Sequence, residues 1–336
     1  MTRTARPLLW PLVPAYRLAL ALREAQLRMA LKPVRRLRWP VVSVGNLSAG
    51  GAGKTPLTIT LAKALTARGV AVDVLSRGYG RRRSAVPVRV DGGGTADEFG
   101  DEPLEIARVA QAPVFVAAER YEAGLMAERD ADADFGVHLL DDGFQHRQLH
   151  RDVDILLLNS GDLGDHLLPA GNLREALRAA ERADIVAIPA EEPEVAEWVK
   201  SHGWEKTVWR LRRRMDVPQI DGPAVAFCGI ARPRQFFQGL KAEGLRPAAR
   251  FTFPDHHSYT AGDLKSLIGA AQKAGAVVLV TTEKDCVRLG GLGASLPASL
   301  PLRVVSLRVE IENEAEAIMG LLLRLRRHHS NEPLRI

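Results

Sequence analysis

The chain has 336 residues, of which 46% are apolar, with 46 Lys and Arg against 40 Asp and Glu; that length suits one large or two medium α/β units. Residues 1–38 hold nine basic residues and one acid, so the positive excess belongs to the N-terminus and the body is slightly acidic, which argues against a nucleic-acid-binding face. Two distant cysteines, Cys228 and Cys286, exclude a disulfide framework or a zinc site and point to a reducing compartment, in keeping with the lack of a secretory leader pattern.

The apolar run 8–22 is broken by Pro11, Pro14 and Arg17. It is too short to span a bilayer, which takes about 20 apolar residues. From Ala15 onward, Tyr16, Leu20, Leu27 and Leu31 share a helical stripe flanked by Arg17, Arg28 and Lys32, and Trp10 and Trp39 bracket the segment. Two readings follow: an amphipathic helix in the membrane interface with its arginines on anionic phospholipid, or a helix packed on the protein's own core. The coincidence of charge with aromatic ends favours the first.

Residues 40–44 (PVVSV) form a short buried parallel strand. Ser48, Ala49, Gly50, Gly51, Ala52, Gly53, Lys54 and Thr55 follow, and 57–68 carry helical spacing that stops at Gly69. Strand, glycine loop and helix in that order are the context of a Walker A phosphate loop. Its backbone N–H groups and the helix N-terminus hold phosphate oxygens, Lys54 reaches the β- and γ-phosphates, and Thr55 offers a hydroxyl to Mg²⁺. Ser48 stands where the first glycine of the strict pattern usually sits.

A second strand is expected at 70–76, followed by Arg77, Gly78, Tyr79, Gly80 and Arg81–Arg82–Arg83, either an anion-binding loop or a solvated turn. Asp101 and Glu102 open a helix, where an acid favours the helix dipole or acts as the base that receives a hydroxyl proton. The apolar strand 135–140 ends in Asp141 and Asp142, the Walker B arrangement that holds Mg²⁺, with either aspartate nearer the metal. Residues 168–173 (LPAGNL) lead into a helix with Arg174 and Glu175 at its start. His256 and His257 lie in a loop before another helix; adjacent histidines with no nearby cysteine do not make a zinc site, but a histidine beside a carboxylate can orient or deprotonate it. Residues 281–285 (TTEKD) follow a strand and either bind substrate or brace the fold.

The stretches VGNLSAGGAGKTP, SRGYGR, GDEP, LLDDGFQHR, LPAGNLRE, FPDHHSY and TTEKD, in this order along most of the chain, resemble the tetraacyldisaccharide 4′-kinase family, the lipid A 4′-kinases of Gram-negative bacteria. Ser48 is no departure from that family's pattern. The resemblance implies ATP-dependent, Mg²⁺-assisted phosphorylation of the 4′-hydroxyl of a tetraacylated glucosamine disaccharide 1-phosphate, by a peripheral enzyme on the cytoplasmic face of the inner membrane. It further implies cooperation of His256 with Asp101. Arg77, Arg81, Asn172, Arg174 and Glu175 lie in loops suited to an anionic sugar substrate.

The expected architecture is a P-loop-type parallel sheet with helices on both faces over 39–213, a smaller C-terminal α/β domain over 217–301, and an N-terminal amphipathic helix. Residues 208–213 and 302–311 would cross between the two domains as an antiparallel pair, and 312–336 would return to the first. A membrane-associated switch ATPase of the partitioning type shares GGxGKT, but that class carries a lysine where Ala49 stands.

Overall fold

A computed structural model of the chain describes residues 6–29, 33–51, 53–81 and 86–329. Leu31, Lys32, Ala52, Arg82 and Arg83 lie outside them, as does the side chain of Arg28.

Among the described residues, one sheet holds the strands β1 (Val41–Asn46), β2 (Ala71–Ser76), β3 (Val88–Arg89), β4 (Val114–Val116), β5 (Gly136–Asp141), β6 (Val153–Leu157), β7 (Ile185–Pro189), β8 (Thr207–Asp216), β9 (Ala224–Cys228), β10 (Ala249–Thr252), β11 (Val278–Thr282) and β12 (Leu302–Ile311). Their order is β10-β9-β11-β12-β8-β7-β6-β1-β5-β2-β4-β3. β1 lies between β5 and β6 and pairs with both in parallel. Strands buried on both faces read as continuous apolar runs, as β1, β5, β6 and β7 do. Alternate residues of those runs feed different cores. Val42, Val44, Val137, Leu139, Ile155 and Ala187 join the cluster under the helix Lys54–Thr66, whereas Leu156, Val186 and Ile188 join the cluster under the N-terminal helix.

Two strands change partners along their length. β8 runs parallel to β7 through Thr207–Leu211, then pairs antiparallel with β12, Leu211 to Asp216 against Ile311 to Ser306. β12 in turn begins parallel to β11 over Leu302–Val305. The antiparallel pair thus takes in 211–216 and 306–311 in place of the expected 208–213 and 302–311, and it joins the strands on either side into one ladder. Beyond it, β9 divides its residues between two further clusters, Val225 and Phe227 on one side and Ala224, Ala226 and Cys228 on the other. The helix Glu314–His329 then returns to the first group and inserts Ile318, Leu321 and Leu325 into the core below the helix Lys54–Thr66.

The N-terminal helix Val13–Arg28 is apolar on two sides. Tyr16 and Leu20 of the stripe expected to face lipid pack, with Val13, on the protein core. Leu18 and Leu22 of the helix are exposed instead, as are Leu8 and Leu12 before it and Met29 after it. Among the described residues no helix is long and apolar enough to cross a membrane.

Candidate functional site

The site forms at the carboxyl ends of β1 and β5, where open α/β sheets bind ligands. β1 ends at Asn46 and the glycine loop carries the chain to the helix Lys54–Thr66. Gly53 has φ +93°, a left-handed conformation that glycine adopts without a side-chain clash. Ser48 forms a bridge with Leu173, and the Ala49 N–H donates to the Asn172 carbonyl at 2.7 Å. The loop 168–175 is therefore laid along the phosphate loop, and Asp165 holds the Asn172 side-chain amide at 2.9 Å.

Lys54 Nζ donates to Asn46 Oδ1 at 3.0 Å and lies 3.5 Å from Asp142 Oδ1. The two acids that end β5 face different partners. Asp141 accepts from the Thr58 hydroxyl at 3.0 Å and the Thr55 hydroxyl at 3.5 Å. Asp142, at φ +50°, takes both terminal nitrogens of Arg174 at 3.0 and 2.9 Å. Arg174 also donates to Asn46 Oδ1 at 2.7 Å. Burial, with Glu102 and Asp142 nearby, pushes Asp141 up to about 7. Burial acts the same way on Asp142, but Lys54 and Arg174 outweigh it and bring that carboxyl to about 2. Gly45 explains how the Asp-Asp-Gly-Phe turn reaches this place: a Cβ there would stand 2.5 Å from Phe144 Cβ, so the fully buried phenyl seats against bare backbone.

Asp101 opens the helix Asp101–Ala110. Gly100 before it has φ +89°, and a Cβ there would come within 2.7 Å of the Tyr79 carbonyl, so the turn of 77–81 lies directly on the start of that helix. Opposite stands the loop after β10, where His256 adopts φ +59°. His256 Nδ1 meets Asp101 Oδ2 at 2.9 Å, across 155 positions of sequence. Tyr79 covers the imidazole, with ring centroids 5.5 Å apart. The hydrogen bond to Asp101 raises the His256 pKa. Asp101 is driven well below the usual carboxylate range: burial opposes this, but His256 and Arg288 prevail. Next to it, Glu102 accepts from Lys284 at 2.8 Å, so the 281–285 segment reaches the site through its lysine.

The remaining loop residues divide. Arg77 is exposed but close enough to Arg120 and His146 to act on them electrostatically. Arg81 points to the main-chain oxygens of Val116 and Val86, each at 3.4 Å, and so closes its own loop. Glu175 pairs with Arg182 at 2.8 Å. The segment after it is a 3₁₀ turn, Leu177–Arg182, in place of the expected helix. The N-terminal helix reaches the same loops: the Tyr16 hydroxyl donates to the Arg174 carbonyl at 2.9 Å, Arg147 pairs with Glu24, and Arg23 donates to the Gln145 carbonyl. A cavity of about 280 Å³ remains there, lined by Arg23, Gln26, Leu27, His146, Arg147 and Gln148.

Sequence reasoning passed over Asn46, Thr58 and Arg288. Arg288 is the least accessible to it: its only local signal is the spacing of three from Asp285, which it meets at 3.4 Å.

The family model for tetraacyldisaccharide-1-P 4′-kinase matches residues 5–325. A tetraacyldisaccharide 4′-kinase of Koribacter versatilis is 41% identical over 330 residues, covering 94% of this chain and 98% of the relative. One from Geobacter metallireducens is 39% identical over 307 residues, covering 86% and 90%. The fold matches a crystal structure of LpxK from Aquifex aeolicus, an "apo" form in complex with ATP, with a TM-score of 0.73, 30% identity, and coverage of 94% of this chain and 98% of that one. The chain belongs to the tetraacyldisaccharide-1-P 4′-kinase family.

Proposed function

We propose that this family member is the kinase that transfers the γ-phosphoryl group of ATP to the 4′-hydroxyl of a tetraacylated glucosamine disaccharide 1-phosphate, giving the 1,4′-bisphosphate lipid A precursor, with Asp101 and His256 as the pair that receives the hydroxyl proton. The observation that carries the residue assignment is the 2.9 Å contact between these two, made across 155 positions next to Glu102, whose charge interacts with that of Lys54.

The oxygens of Thr55 and Asp141 suit Mg²⁺. Among the described residues no three His, Cys, Asp or Glu side chains could hold a metal by themselves. A hard cation that keeps several waters and takes the rest of its shell from nucleotide phosphates fits so sparse a set. The buried, acid-crowded Asp141 is the carboxylate that gains from a cation, and Asp142 is already matched by Lys54 and Arg174. When bound, the ion would neutralise charge on the β- and γ-phosphates.

The protein's own groups supply positioning, which dominates phosphoryl transfer. Lys54, steadied by Asn46, reaches the transferring phosphoryl group. Arg174 fixes Asp142 and ties the loop 168–175 to the end of β1. The acceptor hydroxyl would approach the Asp101–His256 pair, the imidazole sharing the proton as the new P–O bond forms. Arg77 and the basic cavity under the N-terminal helix suit the anionic disaccharide. The exposed leucines of that helix support a peripheral seat on anionic phospholipid at the cytoplasmic face of the inner membrane, where an acylated substrate resides.

The test is transfer of labelled phosphate from ATP to the extracted lipid disaccharide. Wild-type protein labels the lipid and Lys54→Ala does not, while keeping its melting temperature. Labelling by Lys54→Ala at the wild-type rate would refute the nucleotide-site assignment.

A further inference from the structure

The last turn of the helix Glu283–Leu289 brings one more side chain to the Asp101–His256 pair. Arg288 places Nε 2.7 Å and Nη2 2.6 Å from Asp101 Oδ2, the same oxygen that meets His256 Nδ1. Its Nη2 also lies 3.2 Å from that ring nitrogen. Asp101 Oδ1 takes no protein hydrogen bond among the described residues. The arginine is itself held: Nη1 donates to the Gly229 carbonyl and lies 3.4 Å from Asp285 Oδ1. Asp285 is fully buried and accepts from the Gly229 N–H at 3.0 Å, the Tyr259 hydroxyl at 2.9 Å and the Thr282 hydroxyl at 2.6 Å. So TTEKD reaches the site twice, by Lys284 to Glu102 and by Asp285 to Arg288.

We infer that Arg288 is a positioning residue for phosphoryl transfer: its fork occupies one oxygen of Asp101, orients the carboxylate against His256 Nδ1, and leaves Oδ1 and His256 Nε2 for the accepting hydroxyl. This rests on the kinase reading above and assigns the group that sets the geometry and proton affinity of its dyad. A guanidinium carries its charge at every working pH and matches a carboxylate in a fixed plane. It therefore does two separable things, fixing orientation and disfavouring a resident proton on either partner. The groups facing His256 are Asp101, Asp255 with its carboxylate 3.9 Å from Nε2, Arg288 and the Tyr79 ring. Arg288 acts on both members of the pair in the same sense, lowering each pKa. Its removal must raise them, and the form able to take a proton then appears only at higher pH.

The experiment measures kcat, the KM for ATP and the pH dependence of kcat for the full chain with ATP, Mg²⁺ and lipid disaccharide. In Arg288→Met, kcat is expected to fall at least about 30-fold with the KM for ATP within about threefold, and the acid limb of kcat to move to higher pH. Arg288→Lys keeps the charge without the fork; its acid limb should stay at the wild-type position while kcat remains about tenfold low. A merely structural arginine would change melting temperature without moving the acid limb. Should Arg288→Met fail to fold, the lysine variant decides, and a wild-type kcat there overturns the inference. A wild-type rate and pH profile in folded Arg288→Met, with Asp101→Ala and His256→Ala inactive, overturns the role of Arg288 and leaves the kinase site standing. Full transfer by all three variants removes the dyad itself and this inference with it.

Discussion

The N-terminal helix offers the most direct test of the proposed peripheral seat on lipid. Leu18 and Leu22 are 61% and 57% exposed on the face opposite the one that packs on the core. Burying a leucine fully contributes about 1.5–3 kcal/mol, so the exposed part of each contributes about 1 kcal/mol or more on entering the acyl boundary. Losing both in Leu18→Asp/Leu22→Asp therefore weakens partitioning by at least about 30-fold, and the two added negative charges oppose anionic headgroups as well. Neither side chain supports the fold, so the melting temperature should stay put. Leu20→Asp is the internal contrast, since Leu20 faces the core: it should lower the melting temperature without selectively weakening the lipid affinity of the folded fraction. The assay is co-sedimentation with vesicles of phosphatidylcholine and anionic phosphatidylglycerol. Undiminished sedimentation of the double variant would refute the assignment of this face to lipid.

Asp101→Ala and His256→Ala should each cut kcat by about 10²–10⁴-fold with little effect on ATP affinity. If the two act as the proposed unit, the double variant should be hardly worse than the poorer single; multiplying effects in a kinetic cycle would show independence. A different prediction concerns stability. His138 is buried between Asp73 at 2.8 Å and Glu128 at 3.3 Å. Burial alone would lower its pKa, but the two carboxylates raise it from 6.5 to about 9. A raised folded-state pKa contributes stability that is full below pH 6.5 and is lost as pH rises through about 9. Thermal melts should fall across that window in the wild type and flatten in His138→Gln; parallel curves would place the pH dependence elsewhere.

Local motifs were the readable part of this chain. The strand, glycine loop and helix around Lys54 are contiguous, and so are the apolar run and acids that end β5, so spacing alone locates both. The Asp101–His256 pairing is of another kind. It joins the start of one helix to a loop 155 residues away, and only the family resemblance pointed to it. Arg288 belongs to neither class: one arginine in the last turn of a short helix is marked only by its spacing of three from Asp285. The N-terminal helix shows where periodicity fails for a physical reason. Apolar residues line two of its sides, and spacing cannot say which side finds the protein. β3 has only two residues and lay below the resolution of any periodic signal.

The partner exchange of β8 and β12 also makes the core around the phosphate loop depend on residues that follow 217–301. The core beneath the helix Lys54–Thr66 is closed by Val309, Ile311, Ile318, Leu321 and Leu325, and Thr60 donates to the Val309 carbonyl at 2.6 Å. Every one of those residues leaves the ribosome after 217–301. A chain that stops short of these residues carries that helix with one flank uncovered. Purified chains truncated after 311 should show rapid amide exchange along Lys54–Thr66, and chains truncated after 329 should not; equal protection in both would mean that the early strands hold that helix without the C-terminal closure.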